Sequence, residues 1–174
     1  VLATDSFPAA RASAPERLAA ALAPRLAKGA ISQVDHDAIL DRITIVEDVA
    51  DLAPAGLVVE AIIETLAAKQ ELVAGLEAVL APDAVIATNT SSLAVTAIAT
   101  GAKRPERILG LHFFNPAQVM KLVELVAHPG TLPACLARAR DWTVAAGKTV
   151  IDAPDRPGFI VNRCARPFYG EALA

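Results

Sequence analysis

Residues 108–127 read ILGLHFFNPAQVMKLVELVA. An apolar run ends at His112, Asn115-Pro116 breaks it, and a second apolar run carries Glu124. The pattern predicts strand, turn, strand, over residues 108–114 and 121–127. Positions 112 and 124 are equidistant from Gln118. In a hairpin centred there, His112 and Glu124 face each other closely enough to interact. A histidine held by a carboxylate has a fixed tautomer and can act as a general base. Such pairs also serve structure alone, so the flanking chain has to decide between the two readings.

Upstream, apolar runs alternate with helical spacing. Residues 1–4 read as a buried strand ending at Asp5. Residues 8–28 read as a helix with Leu18, Leu22 and Leu26 on one face. Pro8 and Pro15 suit a helix start, and Pro24 should kink or interrupt it. A short helix over 33–41 with Ser32 as N-cap leads to a strand at 43–46. Residues 57–61 and 84–89 are further strands, with a helix over 64–81 between them and Glu64 in its first turn, where the helix dipole favours an acid. A short helix from Leu93 to about Thr100 precedes the opening stretch. Downstream come a helix over 131–146 closed by Gly147, a strand at 149–153, and DRPGF leading into a helix from about Ile160.

Strands alternating with helices imply parallel βαβ units. Continuous apolar strands imply a sheet covered on both faces. The expected fold is therefore α/β, a doubly wound, Rossmann-type, mainly parallel sheet, and such sheets bind ligands at the carboxyl ends of their strands. Asp5, Glu60, Glu64, Asn89-Thr90-Ser91-Ser92, His112 and Asn115 all fall there. An apolar core gains nothing from strands that end in such groups.

Composition narrows the function classes. The chain has 174 residues, 54% hydrophobic and only 4% aromatic, so Ala, Val, Leu and Ile must fill its core. A net charge of −3 gives no electrostatic case for nucleic acid or an anionic membrane. No apolar run reaches the length of a membrane span, and no signal peptide is visible. Cys135 and Cys164 form no CxxC pair and suit free thiols in a reducing cytoplasm. With three histidines and no cysteine cluster, no metal site is expected.

Four stretches carry a resemblance in order and spacing: LVVEAIIETLAAKQEL (57–72), ATNTSSL (87–93), GLHFFNPAQVMKLVEL (110–125) and DRPGFIVNR (155–163). Together they resemble the L-3-hydroxyacyl-CoA dehydrogenase family, most closely its bacterial 3-hydroxybutyryl-CoA and phenylacetate-degradation types. The resemblance implies NAD as cofactor and an acyl-CoA as substrate, in fatty-acid or aromatic-acid catabolism. It makes His112 the catalytic base and Glu124 the acid that orients it. Ser91 and Asn162 match groups that position the substrate's 3-oxygen and the histidine. Asp5, Ala61, Glu64, Lys69, Asn89 and Asn115 match cofactor-contacting positions, and Lys28 matches a lysine contacting coenzyme A. Taken singly, Asp5 reads first as a turn residue, and Ser91 reads also as a cap for the helix at Leu93 and Lys69 as a solvated helix charge.

The resemblance also implies a division into a partial NAD-binding domain over 1–154 and, from 155 to 174, the start of a C-terminal helical domain that forms a homodimer. No GxGxxG occurs in the chain, and VLATD opens in mid-strand. A sheet incomplete at its N-terminus is therefore expected, together with a fragment that is inactive alone. Two alternatives share the superfamily: a gulonate-type dehydrogenase and a non-catalytic, crystallin-like protein. A module of a hydratase–dehydrogenase is a third arrangement.

Overall fold

The computed structural model describes residues 1–165. The expectations for residues 166–174, including a helix running through FYGEALA, lie outside the described residues. The chain forms two compact units, Val1–Pro54 and the part from Ala55 onward.

In the first unit, β1 (Leu2–Ala3) pairs in parallel with β2 (Thr44–Ile45). Between them lie α1 (Pro8–Ala27) and α2 (Gln33–Asp41). Ser32 caps α2 in a reciprocal box with Asp35, each side chain taking the other's backbone amide. Pro8 sits at the start of α1 as expected, but Pro15 and Pro24 lie inside one continuous helix, not at a break. The surrounding alanines, the strongest helix formers, sustain the helix past each missing amide. No residue of α1 is fully buried.

The second unit is a five-stranded sheet in the order β3-β4-β5-β6-β7. Its strands are β3 (Leu57–Glu60), β4 (Val85–Thr88), β5 (Ile108–Phe113), β6 (Leu122–Ala127) and β7 (Thr149–Pro154). Every pairing is parallel except β5 with β6. The helices are α3 (Leu66–Val79), α4 (Val95–Ala99) and α5 (Pro133–Ala145), and a further helical turn begins at Val161. The α/β, mainly parallel architecture read from the sequence is the one observed.

Both faces of this sheet are covered. Leu109 and Leu111 of β5 pack with Val85, Ala87, Val123 and Leu125 against Cys135 and Ala139 of α5. On the opposite face, Gly110 lies against Val126 and against Val95 of α4, so closely that a Cβ there would come within 2.9 Å of Val126 Cβ. Each fully buried Val or Leu contributes about 1.5–3 kcal/mol. The sheet, rather than α1, therefore carries most of the hydrophobic stabilisation.

Candidate active site

The β5–β6 hairpin sets the centre. Its register places His112 opposite Glu124, as the spacing about Gln118 predicts. His112 Nδ1 lies 2.6 Å from Glu124 Oε2, and both side chains are buried. A carboxylate accepts only, so Nδ1 carries the proton shared with Glu124 and Nε2 is the nitrogen left for chemistry. Phe114 and Phe159 flank the imidazole, with ring centroids 4.6 and 5.6 Å away.

Glu124 is held from its other side as well. Its Oε1 accepts the backbone amides of Ile160 and Val161, both at 2.9 Å. These donors open the helical turn after DRPGF, where Gly158 has φ 77° and Phe159 φ 46°. A phenylalanine in the left-handed region costs ~1–3 kcal/mol and persists only where its surroundings enforce it. Here Phe159 is buried beside His112 and the turn it makes aims two amides at one oxygen. With three hydrogen bonds to its charged form, a carboxylate without solvent exposure is satisfied rather than stranded.

Ser91 and Asn162 are also brought together: Asn162 Nδ2 donates to the Ser91 carbonyl at 3.2 Å. Ser91 follows β4, whose parallel neighbour is β5, so it and His112 both stand at carboxyl ends of adjacent strands. Ser91 is not the cap of α4. That helix begins at Val95 with Ala94 at its N-cap, and Asp155 accepts its first amides.

The TNTSS turn is fixed by acids from β3 and the loop after it. Glu64 lies before α3, outside the first turn predicted for it. Its Oε1 instead accepts from Thr90 Oγ1, Ser91 N, Ser92 N and Ser92 Oγ. Partial burial opposes its charge, but the Thr90 hydroxyl, the Ser91 amide, the Ser92 hydroxyl and nearby Lys69 outweigh that and bring its pKa down from 4.5 to about 2. Asn89 Oδ1 takes the amide of Phe113 at 2.8 Å, tying the ends of β4 and β5.

Lys69 is not a solvated helix charge. It is buried and sits 2.9 Å from Glu60 Oε2 and 3.5 Å from Glu64 Oε2. Glu60 in turn accepts from Thr88 Oγ1 and from Ile62 N. The ammonium is thus engaged by acids on both sides of Ala61–Ile63, an exposed segment that includes Ala61. Asn115, in a cis peptide with Pro116, is exposed at the hairpin end.

The remaining two candidates belong to the first unit. Asp5 follows β1, is exposed, and uses Oδ1 to cap Phe7 N at 2.8 Å. Lys28 is the exposed C-cap residue of α1. Among residues that bear on the site, Asp155, Phe159 and Thr88 were not singled out by sequence reading. Asp155 and Phe159 lie within DRPGF, so the signal was present as a turn, but their partners are far away in sequence.

Similarities to known proteins show the family and the fold. A family profile described as 3-hydroxyacyl-CoA dehydrogenase, NAD binding domain, matches residues 1–156. The chain is 44% identical over 153 residues to 3-hydroxyadipyl-CoA dehydrogenase of Escherichia coli, covering 88% of this chain and 32% of that protein. It is 39% identical over 159 residues to 3-hydroxybutyryl-CoA dehydrogenase of Mycobacterium tuberculosis, covering 90% and 56%. The crystal structure of 3-hydroxybutyryl-CoA dehydrogenase from Escherichia coli superposes with a TM-score of 0.94 at 42% identity, covering 99% of this chain and 36% of that one. The chain spans about a third to just over half the length of these two curated relatives. With its profile match running over nearly the whole chain, this protein belongs to the 3-hydroxyacyl-CoA dehydrogenase family, within its NAD-binding domain.

Proposed function

We propose that the chain is the NAD-binding part of an enzyme that reversibly oxidises an L-3-hydroxyacyl-CoA to the 3-ketoacyl-CoA, with His112 as the proton-transfer group. The observation that carries this reading is the buried 2.6 Å contact between His112 and Glu124 at the strand ends. In this reading residues 1–154 belong to the NAD-binding domain, and residues 155–174 begin the substrate and dimerisation domain.

Oxidising a secondary alcohol needs a base for the O–H and an acceptor for the C–H hydride. His112 Nε2 takes the 3-hydroxyl proton, while Glu124 keeps Nδ1 protonated and stabilises the imidazolium that forms. In reduction the same Nε2–H returns its proton to the ketone oxygen. Ser91 and Asn162 are neutral donors suited to that oxygen, stabilising its developing charge without adding a second base. Lys28 would meet the coenzyme A portion.

The residues present fit NAD. Asp5 offers an exposed carboxylate, the acceptor that ribose hydroxyls require and a repulsive neighbour for a 2′-phosphate. Ala61 puts only a methyl group on the exposed loop after β3, and Asn89 and Asn115 add polar groups at the ends of β4 and β5. When bound, NAD supplies the hydride acceptor. Glu64 and Lys69 serve this side by fixing the loops, since their charged groups are already engaged with each other and with the TNTSS turn.

The test is acetoacetyl-CoA-dependent oxidation of NADH by the full-length protein, run beside NAD-dependent oxidation of gulonate. Turnover of the thioester with NADH preferred over NADPH is expected. Turnover of the sugar acid alone would support the gulonate-type alternative, and no turnover of either would support a crystallin-like role.

A further inference from the structure

Asp155 takes no part in the chemistry above, yet its contacts span the site. Its Oδ1 accepts the amide of Val95 at 2.7 Å, and its Oδ2 accepts the amide of Thr96 at 2.8 Å and the Thr96 hydroxyl. The residue at the N-cap of α4 is Ala94, which has no side-chain acceptor. A carboxylate some 60 positions along the chain does that work.

The consequence reaches Glu124. Residues 155–162 are fastened at both ends to the segment that follows β4: Asp155 to Val95 and Thr96, and Asn162 to the carbonyl of Ser91. Between those two fastenings, the strained Gly158–Phe159 turn directs the amides of Ile160 and Val161 onto Glu124 Oε1. Glu124 is the only charged side chain within ion-pair distance of His112 among the described residues. Whatever sets the turn therefore sets the carboxylate, and through it the imidazole.

We infer that Asp155 is a positioning residue for the His112–Glu124 pair, holding the 158–161 turn so that Glu124 is fixed from its far side. The inference rests on the dehydrogenase reading for its kinetic consequence, but its structural consequence stands apart from it. Replacing Asp155 with Asn leaves one acceptor for two amides and points an NH₂ at the other, so the fastening loosens without a change in size.

The experiment compares D155N with E77Q in the full-length protein. Glu77 makes the same kind of tether, accepting the amides of Lys103 and Arg104 at 2.8 Å, and touches no residue of the site. Two readouts are taken: steady-state kinetics with acetoacetyl-CoA and NADH, and the imidazole ¹⁵N resonances of His112. For D155N, kcat should fall about tenfold or more with KM for NADH within about twofold, and the His112 Nδ1 resonance should move. E77Q should lower Tm while leaving kcat and the resonance as in the unsubstituted protein. An unmoved His112 resonance in D155N, or equal effects of D155N and E77Q on it, would overturn the inference. If the resonance moves in D155N but the unsubstituted protein shows no thioester activity, the positioning role stands and the dehydrogenase reading falls.

Discussion

Glu124 divides its two oxygens between a histidine and a pair of amides. A glutamine there keeps all three partners only if its NH₂ faces Nδ1 and His112 takes the Nε2–H tautomer, which leaves Nε2 without a lone pair for a proton. Glu124→Gln should therefore cost ~1–3 kcal/mol by replacing charge-assisted hydrogen bonds with neutral ones. It should also lower kcat by at least about tenfold while leaving the KM for NADH within about twofold. Urea denaturation and steady-state kinetics on the same preparation check both. The facing of His112 and Glu124 was legible in sequence, because the side-chain period of two and the Asn-Pro break fix the register. The buried state of Lys69 was not. LAAKQEL shows a lysine on a helix, and only the position of Glu60 at the end of β3 reveals that its ammonium turns inward. The role of Asp155 was hidden for a related reason: its partners, two amides and the Thr96 hydroxyl, lie some 60 positions away.

The succession of strands and helices along the chain was legible from periodicity, and the elements from β3 to β7 fall where the apolar runs put them. Boundaries shifted where a side chain had a stronger use outside the helix. Glu64, expected inside α3, instead binds four groups of the TNTSS turn. Its depressed pKa makes that turn sensitive to acid. A carboxyl group with a folded pKa of about 2, against 4.5 ordinarily, adds stability that is complete above the higher value and lost as pH falls toward the lower. Glu64→Gln should thus destabilise by ~1 kcal/mol near neutral pH, after allowance for the partial exposure of the group. The difference should shrink between about pH 4.5 and 2, and chemical denaturation at a series of pH values measures it. A constant difference would mean that the turn does not depend on the charge. At Gly110 the constraint is space: an added Cβ would meet Val126 Cβ at 2.9 Å and Val95 Cγ2 at 3.1 Å. Gly110→Ala should cost ~1–3 kcal/mol by overpacking, read as a lower Tm.

The molecule as a whole comprises a small α/β unit bearing Asp5 and Lys28 and a larger sheet unit bearing the histidine, its acid and the polar turns. Strand periodicity foretold one mainly parallel sheet, whereas the described strands form two, β1-β2 and the mixed β3–β7 sheet, and the division at Pro54 has no sequence marker beyond DLAPAG. No helix among the described residues is long and apolar enough to cross a membrane. The central claim is that the proton moves through His112 Nε2 while NAD is held by other groups. The direct measurement is kcat and NADH affinity of His112→Gln against the unsubstituted full-length protein, with acetoacetyl-CoA as substrate. A fall in kcat of at least ~10²-fold with NADH affinity within about twofold is the predicted result, as loss of a general acid–base requires. Turnover within a few-fold of the original would contradict it.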